Sequence, residues 1–389
     1  MTRTEAAPAP GLGSAPGGRA LAPYRLMVVD DSAAIRGLLI RSLETDPEIA
    51  VIASASNGAV ALAALARYDI EVVILDIEMP VMDGLTALPK LLAAKPGIKV
   101  IIASTLTRRG ADISIRALAA GAADYLTKPG SLVLSSADQF KRDLLAKVKV
   151  LGHARRVSAA LLAPARAPAA GRAVEALRPE SAGRRVIALR PSARETPEVI
   201  AIGSSTGGPQ ALFRVLGDLK GRLRQPIFIT QHMPATFTTI LAEHIARTSG
   251  YPTREGVDGE PVNPGHIYLA PGDFHLTVET VSPGNRVVRV SKGPAENFCR
   301  PSVDPMLRSL AEAYGARVLT VMLTGMGRDG LAGSRTVVQS GGTVVAQDEA
   351  TSIVWGMPGA VAMAGLCSAV TPLQDVAGVI EKLASRGRS

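Results

Sequence analysis

Aromatic residues make up only 3% of the 389-residue chain, with a single tryptophan. So little ring surface is poor material for stacking bases, which weighs against a single-strand nucleic-acid binder. Cysteine is nearly absent. Cys299 and Cys367 have no metal-ligand spacing and form no disulfide framework, which fits a reducing cytoplasm. No uninterrupted apolar run approaches the roughly 20 residues needed to span a bilayer, so membrane insertion is not expected. Met1 to Ala22 is rich in Ala, Pro and Gly and lacks an apolar h-region. It reads as a disordered extension over 1–23, not as a secretory signal.

Apolar residues account for 47% of the chain, enough for globular domains with real cores, and the length allows two or more of them. The net charge is +9, and its location matters. Between Gly130 and Glu198 there are 13 Lys and Arg against 6 Asp and Glu, so most of the excess lies outside the two expected cores. The stretch Ala159 to Pro197 is rich in Ala, Pro and Arg without sustained periodicity. A basic Ala/Pro/Arg-rich linker is therefore expected over 132–197, between domains at 24–131 and 198–386.

In the first half, apolar runs stop at polar residues. Leu26-Met27-Val28-Val29 ends at Asp30-Asp31, and Val72-Val73-Ile74-Leu75 ends at Asp76. Val100 to Ala103 ends at Ser104, and Tyr125-Leu126-Thr127 ends at Lys128. Helix-like stretches alternate with these runs, which argues for a doubly wound parallel sheet of flavodoxin-like type. Three carboxylates in one cleft repel unless a cation neutralises them, and such oxygen ligands suit Mg²⁺. A carboxylate can itself accept a phosphoryl group, whose oxygens Mg²⁺ and Lys128 would balance. A single Asp at a strand end is ordinarily a cap or turn residue. Four polar strand ends in succession point to a phosphoacceptor cleft.

The second half repeats the pattern with other chemistry. Val199 to Ile202 runs into Gly203-Ser204-Ser205-Thr206-Gly207-Gly208. Ile227-Phe228-Ile229 is followed by Gln231-His232-Met233-Pro234, and Val318 to Leu323 by Gly325-Met326-Gly327-Arg328-Asp329-Gly330. Ligands of open parallel sheets bind at the strands' carboxyl ends, where Ser205, His232 and Asp329 could converge for acyl transfer. Gly203-x-Ser205-x-Gly207 fits a nucleophile elbow, but the order Ser, His, Asp is not the α/β-hydrolase order. Taken alone, the same turn could cradle a phosphate or only join a strand to a helix. His244, His266 and His275 compete with His232 as the base. His244 lies in a helix-like stretch and His275 in an apolar alternation, so both read as structural.

From about Tyr24 to Pro129 the chain resembles the receiver domain of bacterial response regulators. The matching runs are Val29-Asp30-Asp31-Ser32, Leu75-Asp76-Ile77-Glu78-Met79-Pro80-Val81-Met82-Asp83-Gly84, and Ala122-Ala123-Asp124-Tyr125-Leu126-Thr127-Lys128-Pro129. The resemblance implies phosphorylation of Asp76. It also implies Mg²⁺ held by Asp30, Asp31 and Asp76 with a backbone carbonyl near Glu78, and switch roles for Ser104, Tyr125 and Lys128.

From about Glu198 to Arg386 the chain resembles the catalytic domain of chemotaxis-type protein-glutamate methylesterases. This likeness rests on the three runs of the second half and on His266-Ile267-Tyr268-Leu269-Ala270-Pro271-Gly272, Arg300-Pro301-Ser302-Val303-Asp304, Ala346-Gln347-Asp348-Glu349 and Gly356-Met357-Pro358. It implies a Rossmann-like α/β domain that removes methyl esters from chemoreceptor glutamates and deamidates receptor glutamines. Ser205 would be the nucleophile, His232 the base and Asp329 its orienting residue, with Thr206 and Met326 completing the site and no metal in this half. One departure is Cys299 before Arg300, where members often carry His; it is expected to bear on substrate-side contacts more than on the chemistry. The implied partners are a sensor histidine kinase of chemotaxis type and methylated chemoreceptors, with no specific nucleic acid, and a monomer is expected. Two rival readings are a response regulator with a DNA-binding output and a binding adaptor with a degenerate hydrolase fold.

Overall fold

The computed structural model describes residues 22–128, 134–162 and 187–385. The first apolar runs form β1 (Tyr24–Val29), β2 (Ile49–Ala55), β3 (Val72–Asp76), β4 (Lys99–Ser104) and β5 (Asp124–Thr127). They pair in parallel in the order β2-β1-β3-β4-β5. Leu26–Val29 and Val72–Leu75 are buried without alternation, as expected for parallel strands covered on both faces. The covering helices are α1 (Ala33–Leu43), α2 (Gly58–Leu65), α3 (Gly84–Ala94) and α4 (Arg108–Ala119). Side chains of Ser32, Asn57, Asp83 and Thr107 accept N–H groups in their first turns, which fixes where each helix starts. The strand order reverses between β1 and β3, and the crevice there receives Asp30, Asp31 and Asp76.

The next element corrects the domain boundary. Where a linker is expected from 132, helix α5 spans Leu134–Leu162. Leu144, Val148 and Leu151 are buried in the first domain's core, a spacing that lines one helical face. Arg156 donates to Glu71 at 2.7 Å and to the Ala22 carbonyl at 2.7 Å, tying the helix to the start of β1. Composition suggested a tether, but three aliphatic side chains at helical spacing outweigh it. Residues 187–197 also run along the second domain, with Ala193 N–H donating to Thr343 and Arg190 N–H to the Cys367 carbonyl. The 163–186 part of the expected linker and nearly all of the expected extension lie outside the described residues.

In the second domain β6 (Val199–Ser204), β7 (Ile227–Gln231), β8 (Thr253–Glu255), β9 (Ile267–Leu269), β12 (Val318–Met322), β13 (Thr343–Gln347) and β14 (Ala369–Thr371) form a parallel sheet. Its order is β14-β13-β12-β6-β7-β9-β8. An antiparallel hairpin, β10 (His275–Ser282) with β11 (Asn285–Ser291), stands apart from it. The helices are α6 (Gly208–Asp218), α7 (Ala235–Ser249), α8 (Val303–Tyr314), α9 (Leu331–Gln339), α10 (Met357–Met363) and α11 (Leu373–Ala384). Phe228 and Tyr268, both fully buried, stack at 5.1 Å beneath the sheet. Burying a side chain of that size stabilises by roughly 1.5–3 kcal/mol. The α/β architecture expected for both halves is present. No helix among the described residues is long and apolar enough to cross a membrane.

The two domains meet where α4 and β5 of the first lie against α6 and α7 of the second, and where Ile353 and Val354 of the second pack on the core that α5 covers. Tyr125 stacks on Phe237 at 4.5 Å with 19° between the rings. Arg108 pairs with Glu243 at 2.7 Å, and His244 meets Asp112 at 3.2 Å. Gln210 donates to the Ala122 carbonyl.

Candidate active site

The first cleft gathers the acidic strand ends. Carboxylate oxygens of Asp30, Asp31 and Asp76 lie within 4.8 Å of one another. Three hard oxygen donors at that separation fit a small divalent cation such as Mg²⁺. Lys128 Nζ bridges Asp30 Oδ2 and Asp76 Oδ1, each at 2.7 Å. Asp76 Oδ1 also accepts the Ile77 N–H at 2.8 Å, whereas Oδ2 accepts no hydrogen bond from the described residues. Burial raises the Asp76 carboxyl above its usual value, with Lys128 opposing and Asp30 reinforcing the rise. Burial also works against the Lys128 ammonium, yet its bonds to Asp30 and Asp76 lift it above the ordinary lysine value. Ser104 Oγ is turned toward α4, donating to the Gly110 carbonyl at 3.0 Å.

The second cleft is built on three adjacent strands, β12, β6 and β7, so Asp329, Ser205 and His232 reach the same sheet edge. The turn after β6 is tight. Ser205 N–H donates to the Thr324 carbonyl, and Gly208 N–H closes on the Ser205 carbonyl at 2.8 Å. Gly207 precedes α6 at φ +76°, a conformation costly for a side chain with a Cβ. Gly325 packs so close that a Cβ there would lie 2.9 Å from Ser205 Cβ. The N–H groups of Thr206 and Met326 have no hydrogen-bond partner among the described residues. They are available donors beside the half-exposed serine.

His232 Nε2 lies 2.7 Å from Asp329 Oδ2. Asp329 is held by its surroundings. It accepts from Ser302 Oγ at 2.7 Å, Asn297 Nδ2 at 2.8 Å, Val303 N–H at 2.6 Å and Gly330 N–H at 2.9 Å. Val303 opens α8, so the carboxylate sits on a helix N-terminus, where the backbone dipoles favour an anion. Burial penalises the Asp329 anion, but His232 and these donors hold its carboxyl below the usual range. Burial also disfavours the His232 imidazolium, yet Asp329, aided by Cys299, lifts it to about 9. With Nε2 on the carboxylate, Nδ1 is the nitrogen left to take a proton, and Cys299 Sγ approaches it at 3.5 Å. Among the described residues, Ser205 Oγ makes no hydrogen bond to His232. The histidine and aspartate are engaged and the serine stands beside them.

The first domain lies over this edge. Thr206 Oγ1 donates to Asp124 Oδ2 at 2.8 Å, and Lys147 Nζ pairs with the same carboxylate at 2.9 Å. A cleft of about 330 Å³ remains, lined by Tyr125, Lys147, His232, Phe298, Cys299 and Arg300 among others.

Comparison with known proteins covers both domains. Residues 200–380 match the family model for CheB methylesterase, and residues 26–134 that for the response regulator receiver domain. A protein-glutamate methylesterase/protein-glutamine glutaminase of Paramagnetospirillum magneticum is 58% identical over 368 residues, covering 93% of this chain and 96% of its own. One from Azospirillum brasilense is 57% identical over 370 residues, covering 94% and 93%. The chain belongs to the CheB methylesterase family. The crystal structure of the Thermotoga maritima CheB methylesterase catalytic domain is 39% identical and covers 49% of this chain and 100% of its own, with a TM-score of 0.47.

For a CheB methylesterase, the three histidines that compete with His232 as the base are committed elsewhere. His244 faces Asp112, His266 Nδ1 lies 3.0 Å from the Pro264 carbonyl, and His275 is clamped between the Pro294 carbonyl and the Ser302 N–H. The sequence marks neither Asn297 nor Ser302 as a support of Asp329; the one available signal is a serine directly before an apolar helical stretch, a helix-cap position. Cys299, expected to bear on substrate-side contacts more than on the chemistry, lies with its Sγ 3.5 Å from His232 Nδ1. The reason is local. Glu296 and Cys299 exchange backbone hydrogen bonds across Asn297 (φ 53°) and Phe298 (φ 62°). This two-residue turn folds the thiol back onto the imidazole and leaves Phe298 fully exposed.

Proposed function

We propose that this CheB-type protein-glutamate methylesterase/protein-glutamine glutaminase hydrolyses chemoreceptor glutamyl methyl esters through Ser205, His232 and Asp329. The observation that carries the reading is the 2.7 Å contact of His232 with a fully hydrogen-bonded Asp329, beside a serine flanked by two unpaired backbone N–H groups. Ser205 Oγ attacks the ester carbonyl as His232 takes its proton, and the Thr206 and Met326 N–H groups face the developing oxyanion. Methanol leaves with the proton from His232, and water then hydrolyses the glutamyl-enzyme. Asp329 keeps Nε2–H in place and stabilises the imidazolium. Deamidation of receptor glutamine follows the same course, with ammonia as the leaving group.

The receiver gates this chemistry. Asp76 accepts a phosphoryl group from a chemotaxis-type histidine kinase, and its Oδ2 is the oxygen free to do so. Mg²⁺ held by Asp30, Asp31 and Asp76 supplies charge neutralisation when bound, while Lys128 balances the remaining anionic charge. In the unphosphorylated chain, Asp124 and Tyr125 hold Thr206 and Phe237 and cover the Ser205 cleft. Phosphorylation moves Ser104 and Tyr125 and weakens that cover. The protein acts as a cytoplasmic monomer on the methylated receptors, and the basic linker binds no specific nucleic acid.

The decisive experiment is methanol release from methylated receptor membranes by the purified full chain, with and without acetyl phosphate and Mg²⁺. The wild type should release methanol faster with the donor, and Ser205→Ala should release none above background. Equal release by Ser205→Ala would remove the serine from the mechanism.

A further inference from the structure

The imidazole of His232 is gripped on both edges. Asp329 Oδ2 takes Nε2 at 2.7 Å, and the Cys299 thiol lies 3.5 Å from Nδ1, within the longer reach of a sulfur hydrogen bond. Three features make this contact more than adjacency. The thiol is delivered by a turn with two consecutive left-handed residues, one of them Phe298, a conformation that bulky side chains avoid. The preceding residue, Asn297, bonds Asp329 Oδ1 at 2.8 Å, so one turn touches both partners of the pair. The nitrogen that Cys299 meets is the one the serine hydroxyl must engage.

We propose that Cys299 is a positioning residue, whose thiol holds His232 Nδ1 so that the ring keeps Nε2–H on Asp329 and offers Nδ1 to the cleft. This inference rests on the Ser205–His232–Asp329 reading. A thiol suits the task because it is both a weak donor and a weak acceptor. It donates to Nδ1 while the imidazole is neutral and accepts from Nδ1–H once His232 has taken the serine proton. It thus supports the ring in both protonation states. Because its hydrogen bond is weak, it yields readily when Ser205 Oγ approaches. A ring without this contact would be free to turn about its Cβ–Cγ bond, which swaps Nδ1 with Cδ2 and Nε2 with Cε1 and so takes Nε2 off Asp329.

The test uses the full chain labelled with ¹⁵N-histidine, together with kcat and KM for ester hydrolysis in the presence of acetyl phosphate and Mg²⁺. Above the titration of His232, the wild type should show one tautomer, with Nε2 protonated. Cys299→Ala should show mixed tautomers and a kcat about three- to tenfold lower, the range a modest hydrogen bond spans, with KM unchanged. Cys299→Ser, whose hydroxyl also donates and accepts, should restore the single tautomer and bring kcat within about twofold of wild type. An unchanged tautomer in folded Cys299→Ala would overturn the proposal, as would a kcat loss that Cys299→Ser fails to rescue. The Ser205→Ala chain separates the two readings. Its hydrolysis reports on the nucleophile, while its His232 signals should remain those of the wild type as long as Cys299 sets the ring.

Discussion

Asp76 and Asp329 are both buried at the carboxyl edge of a parallel sheet, and their carboxyls are displaced in opposite directions. Asp76 carries its two donors on one oxygen and, among the described residues, leaves the other open. Burial dominates its balance, and the carboxyl rises. Asp329 has donors on both oxygens, from a histidine, a serine, an asparagine and the first turn of α8. These outweigh burial, and the carboxyl falls. Under the proposed function, the difference separates a carboxylate that reacts from one that only holds. An acceptor of a phosphoryl group needs an exposed lone pair, whereas an orienting group is better the more completely it is satisfied.

The comparison can be broken most severely through the groups that Asp329 serves. Ser205→Ala and His232→Ala should each lower hydrolysis on the order of 10⁴- to 10⁶-fold, measured as methanol release, with circular dichroism unchanged. Crossing the two carboxylates comes next. Asp329→Asn should slow hydrolysis on the order of 10²- to 10⁴-fold while leaving acetyl phosphate labelling intact. Asp76→Asn should do the reverse, abolishing labelling and sparing donor-independent hydrolysis. Labelling that survives in Asp76→Asn, or is lost in Asp329→Asn, would erase the distinction. EDTA should prevent labelling of the wild type.

Smaller effects test the join between the domains. Tyr125→Ala removes the stack on Phe237, and aromatic pairs contribute about 0.5–1.5 kcal/mol beyond their buried area. Hydrolysis by the unphosphorylated chain should therefore rise roughly two- to tenfold, with less left for the donor to add. Unchanged basal hydrolysis would mean that this ring does not cover the site. The mildest signature is in pH. In the proposed mechanism the base must be neutral, and His232 is lifted to about 9 against the cost of burial, so kcat/KM should climb with pH through that value. In Asp329→Asn the residual activity should climb nearer the ordinary histidine value of about 6.5. The stabilisation from this raised histidine is complete below about pH 6.5 and is lost as pH rises through about 9. Chemical denaturation across that interval should show the wild type, but not Asp329→Asn, losing stability.

Much of this arrangement was legible in the amino-acid order. Strand ends at Asp30, Asp76 and Lys128, and at Ser205 and His232, announce themselves because parallel strands are unbroken apolar runs that stop at polar residues. What escaped notice depends on contacts between distant segments. The capping of Asp329 by Asn297 and Ser302 joins residues 32 and 27 positions apart. The reach of Cys299 to His232 depends on a turn whose backbone lies where Phe298 is not expected, so composition and spacing gave no sign of it. Helix α5 was hidden differently. It carries the excess of basic residues that continues into the Ala/Pro/Arg-rich sequence after it, and the spacing of Leu144, Val148 and Leu151 sets it apart.

The hairpin of β10 and β11 offers a practical opening. Its tip, at Pro283 and Gly284, is exposed, Gly284 has φ +82°, and a Cβ built there meets nothing within 4 Å. Loop tips of this kind accept inserted sequence. A short lanthanide-binding loop or a dye-bearing segment placed at 283–284 would give the catalytic domain an optical handle on an element outside its main sheet. Paired with a second label on the receiver, it would let the separation of the two domains be followed in real time as phosphodonor is added.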